Sequence, residues 1–306
     1  VQSSLPRCTP ASDRTTIIKQ PHLSMGLRPG SEAAKHLMDN GNQPEWEAAF
    51  QSYPSSVRRL SQESGKSSLV ELDEWWRKTL PTALMSRGAK PYLLKDELVK
   101  VVQWKLWIGA ARPSLLANAK KTNAETVKAK SMEAFQHLPR PAPPAPSSSS
   151  SPTTAVERVS PEALKKAVSV MTKDIYGVGP ATASAILAAW CGGCPFDADE
   201  VIDVVNHSGK RAYSPKEYLD VHKALDEKAA SLGAPWDAER VRKALWSRAM
   251  HSRFKMTGPP VAATPAAAAA AAAAGARSSA GSLSTSSSHS GSSSKKAREG
   301  GGASSG

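Results

Sequence analysis

The chain has 306 residues, 40% of them hydrophobic, and 40 lysines and arginines against 27 acids give a formal net charge of +13. Its three cysteines, Cys8, Cys191 and Cys194, exclude a disulfide-stapled secreted scaffold, and no apolar run reaches transmembrane length. The excess of positive charge, with a pI near 9.7, favours a polyanionic partner such as nucleic acid or an anionic membrane surface.

Residues 1–30 read as an irregular tail with no sustained hydrophobic period. From 31 to 137 the pattern is helical. In "KDELVKVVQWKL", Leu98, Val101 and Val102 form an apolar stripe closed by Lys105, and "NAETVKAKSMEAFQHL" is a second amphipathic stretch. A Pro/Ser-rich linker or insertion spans 138–159, built around "PRPAPPAPSSSSSPTT". Helical signals resume over 160–256. Ser160-Pro161-Glu162 combines a polar cap, a first-turn proline and an early acid. Ser214 with Glu217 reads as a capping box, and Asp237 as the cap of the last helix, with Trp236 stapling onto Val241. Residues 257–306, rich in alanine, serine and glycine, carry the composition of a disordered tail. No stretch alternates as a strand would, so the expected fold class is all-α, with both helical parts packing as one unit. Eight tryptophans fall in these parts and are expected to pack between helices.

The segment "YGVGPATASAILAAWCGGCPFDADEV", residues 176–201, holds the most specific pattern. A helical run leads into Gly177-Val178-Gly179, and Pro180 then opens a second helix. Glycines there permit positive φ and clear side chains from backbone amides at a helix N-terminus, where an anion is favoured. A nucleic-acid phosphate suits the overall charge. A dinucleotide loop does not fit, because the third glycine and a preceding strand are missing. Downstream, Asp197, Asp199, Glu200 and Asp203 lie close to this turn. Such acids can cap and charge the next helix. They can also stabilise a sugar cation or activate water at a glycosidic bond.

With these residues in place, "GVGPATASAIL…PFDADEV" resembles the helix-hairpin-helix of the endonuclease III-like DNA glycosylase superfamily. There the hairpin G-[VI]-G-x-x-T-A is followed by an aspartate at a closely kept distance. Gly177, Gly179, Thr182 and Ala183 match the hairpin, and the family spacing lands on Asp199, with Asp197 two residues short. "WKL" at 104–106 and "RP" at 112–113 are similar, more narrowly, to the eukaryotic amun-like group viewed as DNA glycosylases. The resemblance implies Asp199 as the catalytic acid and a DNA phosphate held by Gly177, Val178, Gly179 and Thr182. It implies duplex DNA as partner, base-excision repair as the process and the nucleus as the compartment. Bifunctional members carry a lysine where this chain has Ala181, so hydrolysis without a Schiff base is expected. Three cysteines cannot hold the four-cysteine iron–sulfur cluster of many relatives, and no cofactor is expected. The insertion at 139–154 and the extra charge at Glu200 depart from the family pattern. A non-catalytic hairpin module that binds DNA or protein is the competing reading.

Cys191-Gly-Gly-Cys194 is the spacing of a zinc knuckle, but two further ligands are needed, with only Cys8 and His207 to consider. No metal site is expected. Lys120, Lys121, Lys128, Lys130, Lys165, Lys166, Lys173, Arg248, Arg253 and Lys255 could supply an electrostatic footprint, and "KKAR" at 295–298 a short basic signal.

Overall fold

A computed structural model describes residues 27–140, 158–206 and 210–256. The described residues form helices and connecting turns, with no strand among them. In chain order the helices are α1 (Ser31–Asn40), α2 (Gln43–Gln51), α3 (Tyr53–Ser64), α4 (Leu69–Glu74), α5 (Leu80–Ser86), α6 (Lys95–Ile108), α7 (Pro113–Lys121), α8 (Ala124–Gln136), α9 (Pro161–Asp174), α10 (Pro180–Trp190), α11 (Asp199–Asn206), α12 (Pro215–Leu232) and α13 (Ala238–Arg253). A π-helical turn, Trp75–Thr79, joins α4 to α5. Pro81 has no N–H to close an ordinary turn onto Arg77, and the ladder widens so that the Leu80 amide reaches the Trp75 carbonyl.

Helix starts are set locally. Asn42 accepts from the Glu45 amide at 3.0 Å while the Glu45 carboxylate accepts from the Asn42 amide at 2.9 Å. Asn123, Ser160 and Asp237 cap α8, α9 and α13 with the side chain alone, accepting from Thr126, Ala163 and Arg240 amides. At α12 only half of the expected box forms. Ser214 Oγ accepts from the Glu217 amide, but the Glu217 carboxylate turns to the amides of Ala212 and Tyr213, at 3.0 and 2.6 Å. The left-handed backbone of Tyr213, φ 48°, aims both amides at it. Cys8, His207 and the basic cluster at 295–298 lie outside the described residues.

The chain closes on itself: α13 packs against α1, α2 and α3, while α4 to α8 pack with one another and against α9 and α10. Gly30 permits the closest of these approaches, because its φ is 92° and a Cβ there would sit 2.0 Å from the Ala249 carbonyl oxygen. The central helix α10 is buried almost all round, as its small and apolar residues require. Trp76 donates from Nε1 to the Ala185 carbonyl at 3.0 Å and stacks on Trp104 with centroids 3.7 Å apart. Trp46, Trp76, Trp104, Trp190, Trp236 and Trp246 are buried, and Trp75 and Trp107 pack against the same core. Fully burying an aromatic side chain stabilises by about 2–3 kcal/mol, so these residues weld the two groups of helices together.

Candidate active site

The hairpin is built from α9, a glycine turn and α10. The Ile175 carbonyl accepts from the Val178 amide at 3.1 Å, and Gly177 adopts φ 77°. A Cβ on Gly177 would meet Asn118 Cβ at 2.6 Å, and Thr122 Oγ1 donates to the Tyr176 carbonyl at 3.0 Å. The end of α7 therefore props the turn from below. Gly179 caps α10, and its carbonyl accepts from the Thr182 and Ala183 amides at 2.9 Å each.

The four residues expected to hold phosphate thus divide. Gly177 and Gly179 keep amides that make no backbone hydrogen bond, and the space beside Gly179 is open. Val178 is buried with its amide used inside the turn, and Thr182 is 2% exposed with its amide used by Gly179. Those two shape the turn, and the amides left for an anion are those of Gly177 and Gly179. Tyr176, two-thirds exposed at the tip, is a large aromatic that the sequence pattern did not single out. Lys120 and Lys121 are exposed at the end of α7, two and one residues before the Thr122 contact, while Lys130 is paired with Glu133 and Asp174.

The acid-bearing loop is clamped from three sides. The Phe196 amide donates to Glu239 Oε2 at 3.0 Å, and Arg242, fully buried, neutralises that carboxylate. The Asp197 amide donates to Ser184 Oγ on α10 at 2.9 Å, and Tyr218 donates to the Pro195 carbonyl at 2.9 Å. Cys191 and Cys194 are buried in the preceding turn, whose Gly192 carbonyl accepts from the Glu239 amide. Burial pushes the Cys194 thiol well above its usual range. Among the described residues no group of three or more His, Cys, Asp or Glu is arranged for a metal ion.

This clamp sorts the four acids. Asp203, fully buried, accepts from Arg211 at 2.6 Å, from the Arg28 amide at 2.6 Å and from Ser31 Oγ at 3.2 Å, which ties the start of α1 to α11. Glu200 is buried, and burial followed by the neighbouring Asp199 raises its pKa. Asp199, the first residue of α11, keeps 11% of its side chain exposed. Its Oδ2 accepts from the Arg28 guanidinium and its Oδ1 from the Tyr213 hydroxyl at 3.0 Å, while the Arg112 guanidinium lies over the Tyr213 ring at 4.5 Å. Asp197 is 2% exposed, and neither of its carboxyl oxygens has a hydrogen-bond partner.

Asp199 and Asp197 line one cleft together with Lys105, Arg112, Ala181 and Tyr213. Its free volume is about 20 Å³, room for about one water molecule. Lys105, which closed an apolar stripe in the sequence, is mostly buried here and makes no hydrogen bond or ion pair; burial, then Arg112, lowers its pKa. Sequence reasoning missed Arg28, Arg112 and Tyr213 in this site. Arg28 meets Asp199 across 171 positions, which no local pattern signals. No helix among the described residues is long and apolar enough to cross a membrane. Compared with protein-family models, with curated proteins and with solved structures, the chain finds no match.

Proposed function

We propose that this chain is a helix-hairpin-helix DNA glycosylase of base-excision repair, acting in the nucleus and hydrolysing the N-glycosidic bond of a flipped base. The observation that carries the reading is the placement of the Asp199 carboxylate in a cleft that Ala181, in the first turn of the hairpin's second helix, also lines. Backbone amides of Gly177 and Gly179 would hold a DNA phosphate, with Lys120 and Lys121 adding charge nearby. Tyr176 is placed to stack on a base or wedge beside the vacated position.

In the reaction, the C1′–N bond breaks with its electron pair going to the base. The Asp199 side chain stabilises the oxocarbenium-like sugar and takes a proton from the water that adds to C1′. Ala181 offers no amine, so that hairpin position supplies no Schiff base. A base requires more room than the present cleft, and Arg28 must leave Asp199 as the substrate enters.

The Arg28–Asp199 pair also favours a second reading, a DNA-binding module in which that aspartate is a structural partner. Duplexes carrying single lesions at one position separate the two. The enzyme releases a free base from at least one of them, measured by chromatography; the module binds all with steep salt dependence and releases none.

A further inference from the structure

The cleft holds a second carboxyl group that Asp199 does not account for. Asp197 is fixed by its own backbone, through the bond to Ser184 Oγ, and not by its side chain. A buried polar group left without a partner costs about 1–3 kcal/mol, yet no amide, hydroxyl or guanidinium reaches either Asp197 oxygen. The nearby donors are not used on it: the Lys105 ammonium on α6 makes no hydrogen bond, and Tyr218 on α12 spends its one hydroxyl proton on the Pro195 carbonyl. An orphan acid of this kind, facing a cleft, fits a role completed by a ligand.

We infer that Asp197 is the general acid that protonates the departing base, and that the substrates are bases leaving from a neutral, uncharged lesion. The inference rests on the glycosylase reading. Both Asp199 oxygens already accept, from the Arg28 guanidinium and from the Tyr213 hydroxyl. Asp197 has neither. Around it stand Glu217 from α12, Asp199 and Glu200 from α11 and Lys105 from α6, with Arg112 and Tyr213 across the cleft. Burial first, then Glu217 and Asp199, push its pKa up to about 8 against the opposing pull of Lys105. It therefore carries a proton at neutral pH, as a general acid must.

The proton balance closes. Asp197 gives its proton to the base as the C1′–N bond breaks, and the base departs neutral. Water adds to C1′ and loses its proton to Asp199, and proton exchange with solvent returns both carboxyls to their starting states. A cationic alkylated base departs neutral without a proton, so Asp197 would be idle there. Lys105 and Arg112, which line the cleft, would also repel such a base.

The test uses the full chain under single-turnover conditions with four duplexes, carrying hypoxanthine, uracil, 8-oxoguanine or 7-methylguanine at one position. The wild type is expected to release at least one of the first three, with a rate that declines as pH rises through about 8. Asp197→Asn is expected to slow that release by about 10²-fold or more, while release of 7-methylguanine, where measurable, falls no more than a few-fold. Asp199→Asn slows both. The inference is overturned if Asp197→Asn leaves neutral-base release intact, if it slows both classes equally, or if the wild type releases 7-methylguanine alone. In each of these cases the glycosylase reading survives. Release of no base by the wild type overturns both. The wild-type pH profile needs no variant, so a misfolded Asp197→Asn would not shield the inference: a rate that holds level through pH 8 counts against it.

Discussion

Asp197→Asn should change how stability depends on pH, independently of any substrate. The native carboxyl, buried and unpartnered, titrates near 8 in place of its ordinary 3.8. Between these values the folded protein holds a proton that the unfolded chain has lost. Stability then falls as pH rises through the window, by at most about 1.4 kcal/mol per pH unit. Four such units set a ceiling of about 6 kcal/mol, and relaxation around the charged group lowers what is realised. Asparagine carries no charge at any pH and removes this dependence. At pH 5 the two proteins should melt within a few degrees of each other. By pH 9 the variant should be the more stable, and even half the ceiling corresponds to about 6–12 °C in a folded unit of this size. Melting curves by circular dichroism from pH 5 to pH 9 give the difference directly, because other titrating groups, such as Asp237 with its pKa raised to about 6, cancel between the two proteins. A flat difference, or a wild type that gains on the variant as pH rises, would refute the reasoning. The second result would mean that Lys105 holds Asp197 ionised.

Three further outcomes follow from the packing. Gly177→Ala forces a side chain into φ 77° and against Asn118, so it should cost about 2 kcal/mol or more and weaken duplex binding; unchanged melting and binding would remove the hairpin turn from the account. Glu239→Gln leaves Arg242 buried without its counter-charge and should cost about 3–5 kcal/mol by chemical denaturation. Arg28→Ala frees Asp199 Oδ2 and should speed base release, whereas loss of release would make Arg28 part of the chemistry and not a gate.

What could be read from the sequence was what neighbours in sequence decide. Ser160 and Asp237 cap helices through bonds spanning three residues, so polar residues ahead of apolar periods were enough to find these starts. Glycine at 177 announced a turn because few other residues accept its φ. The π turn at Trp75–Thr79 escaped, since a proline at 81 can either end a helix or widen it. The cleft escaped for a different reason. Lys105 reads as one basic residue on an apolar stripe until α10 and the acid loop pack over it. Asp197 and Asp199 are chemically identical in sequence and differ only in what the fold delivers to them: Arg28 and Tyr213 to one, nothing to the other. Thr182 matches the hairpin pattern, but helical periodicity turns it inward, where its side chain cannot meet a phosphate.

If the hairpin holds DNA and Asp199 performs the chemistry, binding and base release separate in one variant, and measuring both together for the wild type and Asp199→Asn shows it. On the lesion that the wild type releases fastest, the variant should bind with nearly unchanged affinity and release the base about 10²–10⁴-fold more slowly. Release that survives the substitution would contradict the account.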